Sequence, residues 1–133
     1  EAVVLRGRLE AEIAETAPTP EERAAYLGEY GLSETGLTAL VRAGYRLLNL
    51  ITFFTVEGPE VRAWTVPAGT AARAAGGRIH SDFADRFVVA EIMALDDLLR
   101  SGSEKALRDA GRIRRAGHDA PVADGDVVHF VCA

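Results

Sequence analysis

Ile51-Thr52-Phe53-Phe54-Thr55-Val56, then Glu57-Gly58-Pro59, then Glu60-Val61-Arg62-Ala63-Trp64-Thr65-Val66: the fold is decided in this stretch. Both outer runs are rich in β-branched and aromatic residues, and a Gly-Pro turn signal separates them, so they read as the arms of a β-hairpin. In the second arm Val61, Ala63 and Thr65 alternate with Arg62, Trp64 and Val66, so one face can carry a large aromatic. Upstream of Leu50 the period is different. Leu37, Leu40, Val41, Tyr45 and Leu48 form a helical stripe, with Ser33 as the opening residue. Thr19-Pro20-Glu21-Glu22 is a second helix start, with a hydroxyl cap, proline in the first turn and acidic residues facing the helix dipole; Gly31 closes that helix. Leu9 and Ile13, four apart, predict a shorter helix before Pro18, preceded by a turn at Arg6-Gly7-Arg8 and a short apolar strand over 2–5.

Downstream, Pro67-Ala68-Gly69 turns the chain, and short helices are expected at 70–75 and 78–82. A strand is expected at 87–93, then helical turns at 94–99 and 103–110 separated by Gly102. A final strand over 126–132 follows the tight turn Asp124-Gly125. A hairpin, a helix and further strands joined by short helical turns imply an α+β domain of the β-grasp kind, a mixed sheet curled around a helix. The 133 residues suffice for one compact domain and a smaller helical element. With 48% apolar and 26% charged residues the composition is that of a folded globular chain and not of a disordered one. A net charge of −5 argues against a generally basic nucleic-acid binder. The single cysteine, Cys132, has no internal partner for a disulfide, and His80, His118 and His129 lack metal-ligand spacing, so no metal site is expected. No apolar run reaches the roughly 18–20 residues of a membrane span, and a reducing, cytoplasmic setting fits best. Glu1 in place of Met is expected either from upstream chain that has been lost or from processing.

Several blocks occur together in a fixed order. They are Gly44-Tyr45-Arg46-Leu47-Leu48, Ile51 to Thr55, Val61-Arg62-Ala63-Trp64-Thr65, Gly69-Thr70-Ala71, Ala75-Gly76, Ile79-His80-Ser81-Asp82-Phe83, Phe87, and Asp124-Gly125-Asp126-Val127-Val128-His129-Phe130. Spanning residues 37–131, they resemble the C-terminal part of the YchF/Obg-like P-loop ATPases and GTPases. That resemblance implies a ubiquitin-like β-grasp TGS domain over 51–133, with residues 1–50 as the end of the nucleotide-binding domain. It also implies ATP or GTP with Mg²⁺ as ligands of the full-length protein, bound upstream, and no cofactor in this chain. The implied partners are the ribosome or RNA and the protein's own upstream NTPase domain. Leu9-Glu10-Ala11-Glu12 is similar to the family's last nucleotide-domain helix, and Arg8 matches the loop that touches the base. Arg6 and Gly7 depart from that loop. No Gly-x-x-x-x-Gly-Lys-Ser/Thr motif occurs, so no backbone cradle or lysine for a triphosphate is expected, and no catalytic residue is assigned.

The remaining chemistry-bearing residues each have a plain structural reading. His80-Ser81-Asp82 has the residue types of a triad, but consecutive residues point apart; a helix cap at Ser81 or Asp82 and a local hydrogen bond from His80 are expected. Phe53, Phe54, Phe83, Phe87 and Phe130 are expected in the core, and Trp64 is the aromatic most suited to meet a partner. The stretch 100–118 is locally basic and reads either as a solvated helix-and-loop surface or as a contact surface, with Arg112, Arg114 and Arg115, between Gly111 and Gly117, on an exposed loop able to meet RNA phosphates. Cys132 reads as a buried, inert thiol. The residues Val131-Cys132-Ala133 are not the Gly-Gly of a sulfur carrier, so that role is not expected. Protein–protein docking and regulation by a small ligand remain as the alternative functions of the β-grasp unit.

Overall fold

A computed structural model describes residues 2–133, so Glu1, on which the expectation of preceding chain rested, lies outside the described residues. The chain forms two compact units, one ending at Leu48 and the other running from Asn49 to Ala133.

The first unit holds three helices: α1 (Gly7–Thr16), α2 (Pro20–Glu29) and α3 (Gly36–Leu47). Thr19 and Glu22 make a reciprocal capping box at the start of α2: Glu22 N–H donates to Thr19 Oγ1 at 3.2 Å, and Thr19 N–H to Glu22 Oε2 at 3.1 Å. Arg23 Nε donates to the Ala17 carbonyl at 2.8 Å, fastening the link between α1 and α2. Ile13, Ala17 and Leu27 are buried together, with Leu9 and Leu32 packed against them. Gly31 takes φ +69° after α2, a left-handed value that glycine adopts without strain.

Three local expectations are corrected here. Residues 2–5 form no strand, because a strand exists only against a hydrogen-bonded neighbour and all five strands of the described residues lie within 50–132. The turn expected at Arg6-Gly7-Arg8 is instead the entry to α1, which starts at Gly7. Helix α3 is capped by Thr35, whose Oγ1 accepts from Thr38 N–H at 3.1 Å, and not by Ser33. The start is set by a distant group: the Glu10 carboxylate accepts from Leu37 N–H at 3.4 Å.

The second unit is a five-stranded mixed sheet with helices on it. Its elements are β1 (Leu50–Glu57), β2 (Glu60–Pro67), α4 (Ala72–Ile79), α5 (Ser81–Asp85), β3 (Phe87–Ala94), α6 (Leu95–Ser101), α7 (Glu104–Asp109), β4 (Arg114–Ala116) and β5 (Asp126–Cys132). The strand order is β2-β1-β5-β3-β4. β1 and β2 form the expected hairpin, with Phe53 opposite Trp64 and Gly58 at φ +58° in the turn. β5 lies at the centre, parallel to β1 at Phe54↔Val127 and antiparallel to β3. The α+β class expected from the sequence is the one found.

Both sheet faces are covered, and this explains why β1 is apolar on successive residues. Phe53, Val66, Ile92, Val128 and Phe130 face α4, whose Ala72, Ala75 and Gly76 bring the helix close. A Cβ on Gly76 would lie 3.2 Å from the Phe130 ring and 3.3 Å from Phe83 Cβ. On the opposite face Met93, Val127 and Leu107 are buried, with Phe54, Leu98 and Ile113 against them. The short helices sit slightly later than expected, at 72–79 and 81–85. The segment 114–116, expected as loop, is an edge strand paired with Ala90 to Ile92.

Candidate functional site

Arg8 stands in the first turn of α1, fully in solvent, with Nε donating to Glu12 at 3.1 Å. An arginine bonded four residues along its own helix belongs to a solvated helix face. The more informative residue nearby is Glu10. Its carboxylate accepts from Arg6 N–H at 3.2 Å and from the first amides of α3, joining α1 to α3 across 27 residues. The Gly36 N–H is the largest cause, and those of Arg6 and Leu37 further causes, that hold its carboxyl below the ordinary value. Gly36 is required there, since a Cβ would fall 2.7 Å from Glu10 Oε1.

His80 is the N-cap of α5: its Nδ1 accepts from Asp82 N–H at 3.2 Å. The local hydrogen bond is as expected, but the capping group is the imidazole, not Ser81 or Asp82. With Nδ1 committed to a backbone amide and all three residues in one short turn, they do not form a nucleophile–base pair.

The three candidate RNA-facing arginines are placed differently from one another. Arg112 lies before β4 and pairs with Asp97 at 3.1 Å, a carboxylate it shares with Arg100. Arg114 reaches the largely buried Asp126 at 3.5 Å. Arg115 sits opposite Glu91 in the β3–β4 register and has no ion-pair partner among the described residues. Nearby, Arg108 bridges Glu91 at 2.9 Å and Glu104 at 2.8 Å; its hydrogen bond to Glu91 is the chief reason that carboxyl titrates low. The stretch is therefore an interleaved charge network in which, of Arg112, Arg114 and Arg115, only Arg115 makes no ion pair among the described residues, where the sequence suggested an exposed basic loop set against Glu104 and Asp109.

Trp64 is half-buried beside the core and donates its indole N–H to Thr55 Oγ1 at 3.0 Å. It lines a cleft of about 280 Å³ together with the apolar Ile79, Phe83 and Phe130 and with Glu57, Glu60, Arg62 and His129. Arg62 is held by Glu60 through Nη2 at 2.7 Å and Nε at 3.2 Å. Sequence reasoning singled out Trp64 and its neighbour Arg62 but missed the cleft, whose walls come from residues more than seventy apart. No helix among the described residues is long and apolar enough to cross a membrane.

Residues 50–133 match the profile of the C-terminal domain of YchF GTPases (YchF-GTPase_C), described as a protein of unknown function, DUF933. The chain belongs to the YchF-GTPase_C family. It is 45% identical over 123 residues to the ribosome-binding ATPase YchF of Escherichia coli O157:H7, covering 92% of this chain and 33% of that protein. It is 44% identical over 130 residues to the ribosome-binding ATPase YchF of Bacillus subtilis, covering 98% of this chain and 35% of that protein. Among solved structures it is similar to the YchF GTPase of Schizosaccharomyces pombe, with TM-score 0.78 and 36% identity over 90% of this chain and 31% of that one. The chain thus spans about a third of the length of the curated relatives it matches. The resemblance read from the sequence blocks is correct. Within the YchF-GTPase_C match lie Trp64, Arg112, Arg114 and Arg115, while Arg8 falls outside it.

Proposed function

We propose that this chain is the accessory, non-catalytic part of a ribosome-associated P-loop ATPase or GTPase, and that its sheet unit contributes contact to the ribosome. The observation that carries this reading is the similarity, along nearly the whole chain, to proteins named as ribosome-binding ATPases. In the full-length protein ATP or GTP with Mg²⁺ is bound upstream, because these 133 residues lack the glycine-rich loop and lysine that phosphate binding needs. The sheet order β2-β1-β5-β3-β4, with a parallel central pair, supports naming the unit a β-grasp TGS domain. The helical unit is read as the end of the nucleotide-binding domain. Its exposed Leu37, Leu40 and Val41 on α3 offer the upstream domain an apolar face. The setting is cytoplasmic, where ribosomes are.

RNA contact is assigned to the β4 edge. Arg115 makes no ion pair there among the described residues, and Arg112 and Arg114 have guanidinium groups at least half exposed, so phosphate can reach them while they stay near Asp97 and Asp126. The test is co-sedimentation of the chain with purified ribosomes across a salt series. Replacing Arg112, Arg114 and Arg115 together by Ala weakens pelleting and flattens its salt dependence, because fewer counterions are released. Unchanged pelleting of a folded triple variant would refute the assignment. Calorimetric titration of the same chain with ATP or GTP and Mg²⁺ gives no binding heat, and micromolar affinity would overturn the non-catalytic reading.

A further inference from the structure

The cleft beside Trp64 has the chemistry to receive a cation. Its apolar side is aromatic and aliphatic, formed by Trp64, Phe83, Phe130 and Ile79. The indole N–H is committed to Thr55, which leaves the carbon surface of the ring, and no donor, for the cleft. Its charged lining residues are two carboxylates, Glu57 and Glu60, and one guanidinium, Arg62, which Glu60 already holds in a two-pronged pair; the imidazole of His129 lines it as well. The Glu57 side chain has no hydrogen-bond or ion-pair partner among the described residues. An aromatic surface flanked by an open carboxylate, with the local guanidinium spent, suits a guanidinium or ammonium and disfavours a phosphate.

The surrounding main chain points to the source of that cation. β1 and β5 are registered at Phe54↔Val127 alone, and the cleft opens beyond that pairing. The β5 side of Val56 and Glu57 is thus outside any strand register, so an extended segment can add main-chain hydrogen bonds to the side-chain contact. The chain's net charge of −5 favours a basic partner at long range.

We infer that this cleft is a docking site for a basic protein segment, seating an arginine or lysine side chain over Trp64 and against Glu57. The inference rests on reading the sheet unit as a partner-binding module, but it places protein recognition at the hairpin, apart from the RNA contact assigned to β4.

Trp64 is the only tryptophan, so its emission reports the cleft directly. The chain is titrated with a capped Arg-Ala-Arg-Ala-Arg peptide, with spermine and with oligouridylate. The peptide shifts or quenches the Trp64 signal, and spermine and oligouridylate do so at least tenfold more weakly. The Glu57→Gln/Glu60→Gln double variant keeps its circular-dichroism spectrum and loses at least about tenfold in peptide affinity, equivalent to about 1.4 kcal/mol. The Arg112, Arg114, Arg115 triple-Ala variant binds the peptide as the parent does, so failure of the RNA assignment leaves this test intact. The inference is overturned by no peptide response, by spermine or oligouridylate binding as tightly, or by full affinity in the double carboxylate variant.

Discussion

Replacing Phe53 by Ala tests the core on which the functional cleft is built. Phe53 is 0% exposed, lies on β1 next to the central strand, and meets Phe130 edge-on with ring centroids 6.2 Å apart. Truncation removes the whole ring from a site walled by β5 and α4, where Gly76 already packs against Phe130 and little collapse is available. Full truncation of a buried Phe costs about 3–5 kcal/mol, the upper half applying where the site cannot close. For a domain of this size each kcal/mol lowers Tm by roughly 4–8 °C, so a fall of at least about 12 °C is expected. Urea denaturation, followed by Trp64 emission and by far-ultraviolet circular dichroism, measures the loss. Val61→Ala is the matched control: Val61 is 65% exposed on the neighbouring strand, and its truncation changes stability by about 0.5 kcal/mol or less. A Phe53→Ala loss below about 1 kcal/mol, or an equal loss for Val61→Ala, would refute the strand register and core described here.

Two further outcomes follow from close contacts. Gly76→Ala places a Cβ 3.2 Å from the Phe130 ring and 3.3 Å from Phe83 Cβ, and in the same urea assay this crowding outweighs the gain of about 1 kcal/mol in helix propensity, so that the sheet unit is less stable and not more. The Glu10 carboxyl titrates low in the folded chain, so its ionised form stabilises the helical unit at pH above the ordinary carboxylate range. That contribution disappears as pH falls through the folded-state value; amide exchange at Gly36 and Leu37 speeds up there, and Glu10→Gln removes the pH dependence.

The hairpin was legible because residues 51–66 carry a strand signal on both sides of an unambiguous turn. The final strand was legible for a similar reason. Gly125 takes φ +78°, and Asp124 Oδ1 accepts from Thr52 N–H at 2.8 Å, so the Asp-Gly pair both turns the chain and ties it to β1. β4 was not legible: it is three residues long, two of them arginines, and only Ala116 is buried. The same charges that suggested a loop are carried by an edge strand, where alternate side chains and one backbone edge face solvent. The start of α3 was placed two residues early because Ser33 and Thr35 are both capping residue types, and the choice of Thr35 is reinforced by Glu10, 27 residues away in the chain from Leu37. Trp64 could be singled out from its arm of the hairpin, but the cleft around it needs Phe83 and Phe130, which only the sheet and α5 bring to its side.

The most direct test of the central claim is hydrogen–deuterium exchange of this chain with and without purified ribosomes. The account predicts slowed exchange confined to the sheet unit, at the β4 edge around 112–116 and the hairpin end around 55–62. Protection absent from both segments, or found only in α1 and α2, would contradict it.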